Sequence, residues 1–370
     1  MSIGRILYYY PHTQTNTGSP RMLLNLVGAL DRSRFRPVIL AADNGPLVEE
    51  LRAIDVEIVH GETHSCSLRH PLQLWRRARA AAGKLREWDI DLVHINLFPW
   101  NMDIAFGAWL SHLPVVCHCH NPLTIHRSNL VRFATSRILF VSQRERQEAV
   151  GLNLTRAKDQ VLYNFIDFDY YSSGSSIRAT LGLTEQDFVV TTVAQLSARK
   201  GIDTVIETAR LCRERGSDFR FLIVGGKAVN EAEYADEMRA LVVEYDLQEQ
   251  VQILGPRSDL PDIYASSDIL LHPAHQEPFG LVIIEAMAAG LPVVAGAVGG
   301  IPEIVGAVGA GTLLEDATPR DFSTALLDIR DMPDWGKKGA QMARAEAHRH
   351  FSREAVMPTL EAIYRELLAH

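Results

Sequence analysis

The chain has 370 residues, of which 47% are hydrophobic and 22% are charged. This composition is typical of an ordinary globular protein, and the length is long for one core but suits two domains. The formal net charge of -8 argues against a nucleic-acid-binding protein, since such proteins usually carry a basic surface. The four cysteines show no disulfide spacing, and we find no signal-peptide pattern and no apolar run that could span a bilayer. We therefore expect a cytoplasmic protein.

Short apolar runs alternate with longer amphipathic segments along the first half of the chain. In chain order, strands are predicted at 3–9, 38–42, 56–59, 92–95, 115–119 and 138–141, with helices at 20–30, 46–53 and 68–88 among them. This alternation predicts a parallel sheet with helices on both faces.

A polar and aromatic stretch with several serines, at 164–176, interrupts the alternation and is predicted to be an interdomain linker. The alternation then resumes. Strands are predicted at 189–194, 219–224, 251–254, 269–272, 292–295 and 311–314, with helices at 201–213, 231–246 and 353–368. The whole pattern predicts an α/β protein of two Rossmann-like domains, whose ligands bind at the carboxyl ends of the strands.

Two glutamates lie in the apolar stretch HQEPFGLVIIEAMAAGLPVVAG at 275–296. Glu277 precedes a proline, and Glu285 falls inside a helix predicted to begin near Phe279 and to end at Gly290. A buried carboxylate is costly without a partner, and a sugar or ribose hydroxyl would supply one. The first N–H groups of such a helix also favour phosphate. Alternatively, Glu277 caps the helix and Glu285 lies on a solvated edge.

The same stretch and its surroundings resemble the family-four retaining glycosyltransferases, which have the GT-B fold. The run EPFGLVIIEAMAAGLPVVA followed by GGIPEIV resembles the E-x7-E region of that family. Upstream, the resemblance extends over LSARKGIDTVIETA, FLIVGG and LPDIYASSDILLHPAHQEPFG, and in the first half over LVHIN, PVVCHCHNP, SRILFVSQRERQEA and VLYNFIDFDYY. It covers nearly the whole chain and is strongest over about 189–314.

The resemblance implies a fold and an activity. The fold would consist of an acceptor-side domain at 1–165 and a nucleotide-sugar donor domain at 178–350, facing each other across a cleft. A final helix within 353–370 would cross back to the first domain. The activity would be retaining transfer of a sugar from a nucleoside-diphosphate sugar to a hydroxyl acceptor, such as a glycan, a glycolipid or a small molecule. It would need no cofactor and no metal.

The resemblance also implies roles for residues of the second half. Glu277 would contact the transferred sugar, and Glu285 would contact the ribose hydroxyls. The N–H groups of Phe279, Gly280 and Leu281 would hold the diphosphate and the sugar. Donors placed in this way stabilise the negative charge that grows on a departing nucleoside diphosphate.

Further implied roles fall on both halves. Lys200 would neutralise the leaving phosphate, Gly18 would approach the donor from the first domain, and His120 would lie near the reacting carbon. Gln195 stands where the family usually has an arginine, and Arg199, next to Lys200, could compensate. The family's double-glycine loop reads Gly18-Ser19 here.

Other parts of the sequence suggest further sites and functions. Arg257, at a strand end, is a candidate neighbour of the nucleotide base. The run CHCH at 117–120 suggests a metal site, but alternate residues of a strand point to opposite faces, and no second ligand pair follows. A nucleotide-sugar epimerase or hydrolase of the same fold and a non-catalytic nucleotide-sugar-binding subunit are the alternative functions. The missing glycine fingerprint disfavours a nicotinamide dehydrogenase.

The predicted helix at 68–88 is strongly basic. Leu72, Trp75, Ala78, Ala82 and Leu85 form an apolar stripe along it. This pattern indicates either a crossover helix packed on its sheet or a peripheral contact with an anionic membrane surface or a lipid-phosphate acceptor.

Overall fold

The structure, a computed structural model, describes residues 3–10, 18–61, 70–96, 102–120, 134–156, 158–228, 231–332 and 335–369. The chain divides into two compact units, one of Met1–Phe165 with Val356–His370 and one of Ile166–Ala355. Within the described ranges, no helix is long and apolar enough to cross a membrane.

The first unit contains a seven-stranded parallel sheet in the order β3-β2-β1-β4-β5-β6-β7. Its strands are β1 (Gly4–Tyr9), β2 (Phe35–Ala41), β3 (Glu57–His60), β4 (Leu92–Ile95), β5 (Val115–Cys119), β6 (Arg137–Phe140) and β7 (Gln160–Val161). The described helices between them are α1 (Gly18–Ala29), α2 (Pro46–Ala53), α3 (Pro71–Glu87), α4 (Met102–Leu110) and α5 (Gln143–Gly151).

The second unit contains a six-stranded parallel sheet in the order β10-β9-β8-β11-β12-β13. Its strands are β8 (Val189–Val193), β9 (Arg220–Val224), β10 (Val251–Gly255), β11 (Ile269–His272), β12 (Val293–Gly296) and β13 (Thr312–Leu314). The helices are α6 (Phe168–Ser172), α7 (Ile202–Glu214), α8 (Ala232–Glu244), α9 (Leu260–Ala265), α10 (Leu281–Ala288), α11 (Ile301–Val308), α12 (Pro319–Arg330) and α13 (Trp335–Phe351).

The last helix, α14 (Arg353–Leu368), returns to the first unit. Its buried side chains join the core that α1 and the strands β1 and β2 form, and they are Val356, Met357, Leu360, Ile363 and Tyr364. The two parallel α/β sheets and this returning helix confirm the predicted fold class.

One local prediction was wrong in its bounds, and the structure adds detail to two others. The helix expected over 279–290 spans Leu281–Ala288, because Gly280 has a φ of 112°, which a right-handed helix does not contain. The expected linker includes the boundary between the two units, at Phe165 and Ile166. It also contains the short helix α6, which begins where the Asp167 carboxylate accepts a hydrogen bond from the Tyr170 N–H. The apolar stripe of α3 is only partly buried: Ala78, Ala82 and Leu85 pack inward, whereas Leu72 and Trp75 are exposed.

A row of buried polar rings runs along one face of the first sheet. Nδ1 of His94, on β4, forms a hydrogen bond with the Tyr364 hydroxyl. That hydroxyl lies 2.9 Å from the Tyr8 hydroxyl. The ring centroids of His94 and His118 are 5.8 Å apart, and those of His118 and His120 are 4.2 Å apart. The row therefore leads from the returning helix to His120, just beyond the carboxyl end of β5.

Burial lowers the pKa of His94, His118 and His120, and it lowers the pKa of His118 to about 4. The folded chain therefore holds these rings neutral at pH values where an unfolded histidine, with a pKa near 6.5, takes up a proton. Since the unfolded state then binds more protons, stability is complete above about pH 6.5 and falls as the pH drops below it.

We expect the free energy of unfolding, measured by urea denaturation between pH 7.5 and pH 5, to fall with decreasing pH below about 6.5. His118→Leu should reduce this slope by about 1.4 kcal/mol per pH unit, the contribution of one proton. His112 is exposed and has a φ of 57°, so His112→Asn is the matched control and should leave the slope unchanged. An unchanged slope in His118→Leu would contradict the neutral buried ring.

Candidate functional site

The candidate residues of the second unit lie at the carboxyl ends of β8, β11 and β12, which are neighbours in the sheet. The chain leaves β8 through a loop and a short 3-10 helix, Ala198–Lys200, before α7 begins. It leaves β11 through a loop that ends at Gly280, before α10. The Arg199 carbonyl accepts hydrogen bonds from the His275 N–H and the Gln276 N–H, at 2.9 and 3.1 Å. The two loops are thus joined through their backbones.

Two glycines make this close approach possible. Gly201 has a φ of 66°, and a Cβ atom there would lie 2.2 Å from the Pro273 carbonyl oxygen. Gly299, in the loop after β12, has a φ of 53°, and a Cβ atom there would lie 1.7 Å from the Glu277 carbonyl oxygen. Any other residue at either position would push the loops apart.

A charged cluster lies where these loops meet. Lys200 Nζ donates a hydrogen bond to Oε2 of Glu277, and His272 Nε2 lies 3.2 Å from the same oxygen. The side chains of Lys200 and Glu277 are only 12% and 11% exposed, and His272 is buried. The pair is therefore largely desolvated, which strengthens its attraction and makes the loss of either partner costly.

Opposing effects set the protonation states in this cluster. Burial alone would raise the pKa of Glu277, but the Lys200 ammonium and the hydrogen bond from His272 hold that pKa well below its ordinary value. Burial lowers the pKa of His272; the Glu277 carboxylate opposes this shift, and the cations Lys200 and Arg199 add to it. The cluster therefore contains an ionised carboxylate, an ammonium group and a neutral imidazole at neutral pH.

The start of α10 lies directly after this cluster. Gly280 takes the left-handed conformation that ends the loop, and Leu281 is the first residue of the helix. Phe279 is buried. The free N–H groups of the first helical turn and the helix dipole attract negative charge, phosphate included.

Glu285 is buried in the middle of α10, and two tyrosines hold it. The Tyr171 hydroxyl donates to Oε1 at 2.9 Å, and the Tyr264 hydroxyl donates to Oε2 at 2.9 Å. Burial and the adjacent Glu285 charge raise the pKa of Tyr264 well above its ordinary value, so this hydroxyl keeps its proton. The solvated-edge interpretation is therefore wrong. A ligand is not needed to account for the burial of Glu285, because the protein itself supplies two donors.

The remaining candidates of the second unit differ in their surroundings. Gln195 is half-buried, and its carbonyl accepts a long hydrogen bond of 3.5 Å from the Ser197 hydroxyl. The Arg199 side chain is exposed beside the cluster. Arg257 forms two hydrogen bonds with the Asp259 carboxylate, at 2.8 and 2.5 Å, which fix its guanidinium beside its own turn.

The first unit brings a second group together, at the carboxyl ends of β4 and β5 and the start of α1. Gly18 is the exposed first residue of α1. The Asn96 amide nitrogen donates to the Ser19 carbonyl at 3.3 Å, which leaves the Asn96 oxygen to accept from Nε2 of His120, also at 3.3 Å. Because His120 is neutral, its Nδ1 then carries a lone pair rather than a proton.

Sequence reasoning missed four residues of these two groups. His272 is a polar residue that ends an apolar strand, and Asn96 directly follows β4, so strand-end polarity was the available signal for both. Tyr171 and Tyr264 carried no such signal, since one lies in the expected linker and the other on the short helix α9. Among the described residues, no three His, Cys, Asp or Glu side chains come together as a metal site. Cys117, Cys119 and Cys212 are buried free thiols, and Cys66 lies outside the described residues.

Curated relatives match part of the chain. A D-inositol 3-phosphate glycosyltransferase from Rhodococcus opacus is 33% identical over 206 residues, which are 54% of this chain and 46% of the relative. A second, from Kineococcus radiotolerans, is 33% identical over 230 residues, 57% of this chain and 52% of the relative. The chain thus matches about half the length of these relatives.

A solved structure of HepE from Anabaena in complex with UDP and glucose superposes with a TM-score of 0.85 at 22% identity, covering 98% of this chain and 100% of that one. This structural likeness shows the fold.

Two family models together match most of the chain. The model described as "Glycosyltransferase Family 4" matches residues 16–170, and the model described as "Glycosyl transferases group 1" matches residues 175–349. They meet close to the boundary between the two compact units. With the GT-B glycosyltransferase fold of its structural neighbours, the chain belongs to the family-four glycosyltransferases.

Proposed function

We propose that this chain is a retaining glycosyltransferase that moves a sugar from a nucleoside-diphosphate sugar to a hydroxyl acceptor without a metal. The observation that carries the proposal is the desolvated cluster of Lys200, Glu277 and His272 directly before the N-terminus of α10. Such a site offers a cation and backbone N–H groups to a departing diphosphate, and a carboxylate to the hydroxyls of a sugar.

The proposed roles follow the geometry of the second unit. Lys200 and the N–H groups of Phe279, Gly280 and Leu281 hold the diphosphate, with Gln195 and Arg199 on the adjoining loop. Glu277 accepts hydrogen bonds from the sugar. Glu285 accepts from the ribose hydroxyls as well as from Tyr171 and Tyr264, since each carboxylate oxygen offers two lone pairs.

The proposed roles of three further residues rest on fewer contacts. Arg257, held by Asp259, offers its exposed edge to the base. In the first unit, His120 contributes at the reacting end of the sugar, and Gly18 allows the donor to approach α1. The HepE protein of Anabaena has also been solved in complex with UDP-glucose, which supports a UDP-sugar as the first donor to test.

Product analysis tests the reaction. The chain is incubated with UDP-, GDP- and ADP-sugars and a panel of hydroxyl acceptors that includes inositol phosphates, simple glycosides and glycolipids. We expect acceptor-dependent release of the nucleoside diphosphate, a product with the donor's anomeric configuration by NMR, and no effect of EDTA.

Three other outcomes would exclude retaining transfer. Release of free sugar with no dependence on the acceptor would indicate a hydrolase, and a changed sugar stereocentre would indicate an epimerase. Nucleotide binding without turnover would indicate a non-catalytic subunit.

Calorimetry with the nucleoside diphosphate that binds wild type tests the assigned contacts. We expect Lys200→Met and Glu285→Gln each to weaken binding by about 1.5–3 kcal/mol, the usual cost of a lost hydrogen bond to a charged group. Arg210 pairs with Glu207 and Glu214 on the surface of α7, so Arg210→Met removes a cation away from the cluster and is the matched control. Unchanged affinity in both site variants would refute the assignment.

We further propose that α3 contacts an anionic membrane surface. Leu72 and Trp75 are 80% and 53% exposed, and the Arg79 guanidinium lies 4.7 Å from the centroid of the Trp75 ring. The described helix carries one acidic residue, Glu87, and five basic residues, which are Arg76, Arg77, Arg79, Lys84 and Arg86. Exposed apolar side chains beside arginines are typical of helices that bind in the membrane interface.

Co-sedimentation tests this contact. Vesicles that contain phosphatidylglycerol should bind the protein at low salt and release it at high salt, because screening weakens attraction between exposed charges. Leu72→Ser with Trp75→Ser should abolish binding. Val243 is a similarly exposed apolar residue of the second unit, so Val243→Ser should not affect it. Binding that survives the double substitution would contradict the assignment to α3.

A further inference from the structure

His272 approaches the candidate sugar carboxylate from inside the second unit. It is the last residue of β11, and its side chain is fully buried at the carboxyl end of that strand. The chain then turns through Pro273 and returns with Glu277, whose Oε2 lies 3.2 Å from the imidazole Nε2. The contact thus joins a rigid strand to a residue of the loop.

The geometry fixes which ring nitrogen carries the proton. A neutral imidazole has one N–H, and an ionised carboxylate can only accept. Nε2 faces Glu277 and therefore donates to it. Nδ1 of His272 is buried and has no hydrogen-bond partner among the described residues, so a proton there would leave a buried N–H unpaired while a lone pair faced the carboxylate.

Backbone contacts already hold the loop on both sides of Glu277. The Arg199 carbonyl binds the N–H groups of His275 and Gln276, and the Gly300 N–H donates to the Glu277 carbonyl at 3.2 Å. What the backbone does not set is the direction of the Glu277 side chain. Lys200 and His272 set it, because both bind Oε2. Within the described chain, no donor reaches Oε1.

Lys200 and His272 are not equivalent anchors. Lysine carries its charge on a flexible four-carbon stem, and in the proposed function Lys200 also binds the diphosphate. When Lys200 shifts toward phosphate, its hold on Glu277 weakens. The imidazole of His272 is a buried ring on a strand and has no room to follow a ligand.

We propose that His272 is a positioning residue, which fixes Oε2 of Glu277 so that Oε1 faces the sugar of the bound donor. This inference rests on the proposed function of the second unit. His272 itself touches neither donor nor acceptor. Its loss is therefore expected to weaken recognition of the sugar and to spare recognition of the nucleoside diphosphate.

The test compares two variants and two probes. A glutamine carries its amide nitrogen where the imidazole carries Nε2, so His272→Gln keeps the donor, whereas His272→Leu fills the space without one. Calorimetry gives the dissociation constants of UDP-glucose and of UDP for wild type and both variants. The UDP affinity also reports whether each variant has folded. If wild type prefers another nucleotide, the probes are GDP-glucose and GDP, or ADP-glucose and ADP.

We expect His272→Leu to raise the ratio of the UDP-glucose to the UDP dissociation constant about tenfold, as the loss of one hydrogen bond does. The UDP constant itself should change less than about twofold, and His272→Gln should restore the ratio to within about twofold of wild type. kcat should fall in His272→Leu and recover in His272→Gln.

Two results would overturn the inference. One is an unchanged ratio in His272→Leu, and the other is a loss of UDP binding as large as the loss of UDP-glucose binding, which would indicate a purely structural role. A failure of the proposed donor site would look different, since wild type would then bind none of the nucleoside diphosphates. A failure of the proposed transfer alone would appear in the product analysis and would leave the ratio of the two dissociation constants measurable.

Discussion

The burial of the Glu277 carboxylate is the constraint on which the second unit depends. An ionised carboxylate that loses most of its water must gain a cation or strong donors. Lys200 and His272 meet this requirement, but only if the loops after β8 and β11 touch. Gly201 allows this approach, and the Arg199 carbonyl secures it through the backbone. The loop after β12 joins through Gly299 and Gly300 at the Glu277 carbonyl. One buried charge thus explains why three loops converge at one edge of the sheet.

The two glutamates of this region are stabilised in different ways. Glu277 takes a cation and an imidazole on one oxygen, whereas Glu285 takes a phenol hydroxyl on each oxygen. The first arrangement fixes the direction of the carboxylate and leaves its Oε1 without a donor among the described residues. The second locks the carboxylate between α6, α9 and α10. The tyrosine on α6 lies only five residues beyond the boundary at Ile166, where the second unit begins.

The sequence predicted the structural features that have a periodic apolar pattern or a recognisable motif. Apolar alternation located the strands, since each buried strand must be apolar over its length, and the returning helix followed from the family resemblance. The start of α10 was misplaced by two residues because the pattern of apolar residues does not show that Gly280 takes a positive φ. The partners of Glu285 could not be predicted, because Tyr171 and Tyr264 come from positions 114 and 21 residues away. Such contacts arise from tertiary packing alone.

The partial exposure of the apolar stripe on α3 also depends on tertiary packing. Helical periodicity places Leu72 and Trp75 on one face with Leu85, but periodicity does not say how far the neighbouring layer extends along that face. Gly107 of α4 lies against the Ala81 side chain and the backbone of Ala78 and Ala82, where an added Cβ would be 2.7 Å from the Ala81 Cβ. The covered part of α3 is therefore its middle and end, and the first turn projects beyond the packing.

The histidine row of the first unit and the Glu277 carboxylate of the second respond to acid over different pH ranges. In the first unit, burial lowers the pKa of the ring nitrogens of the histidine row, so their stabilising effect begins to be lost as the pH falls below about 6.5. The lowered pKa of Glu277 acts over a different window. Its contribution is complete above the ordinary pKa of a glutamate, about 4.3, and is lost only below that value. The ion pair with Lys200 thus persists through the range in which the histidine row loses its stabilising effect. Acid therefore weakens the packing around His120 before it reaches the pair of Lys200 and Glu277.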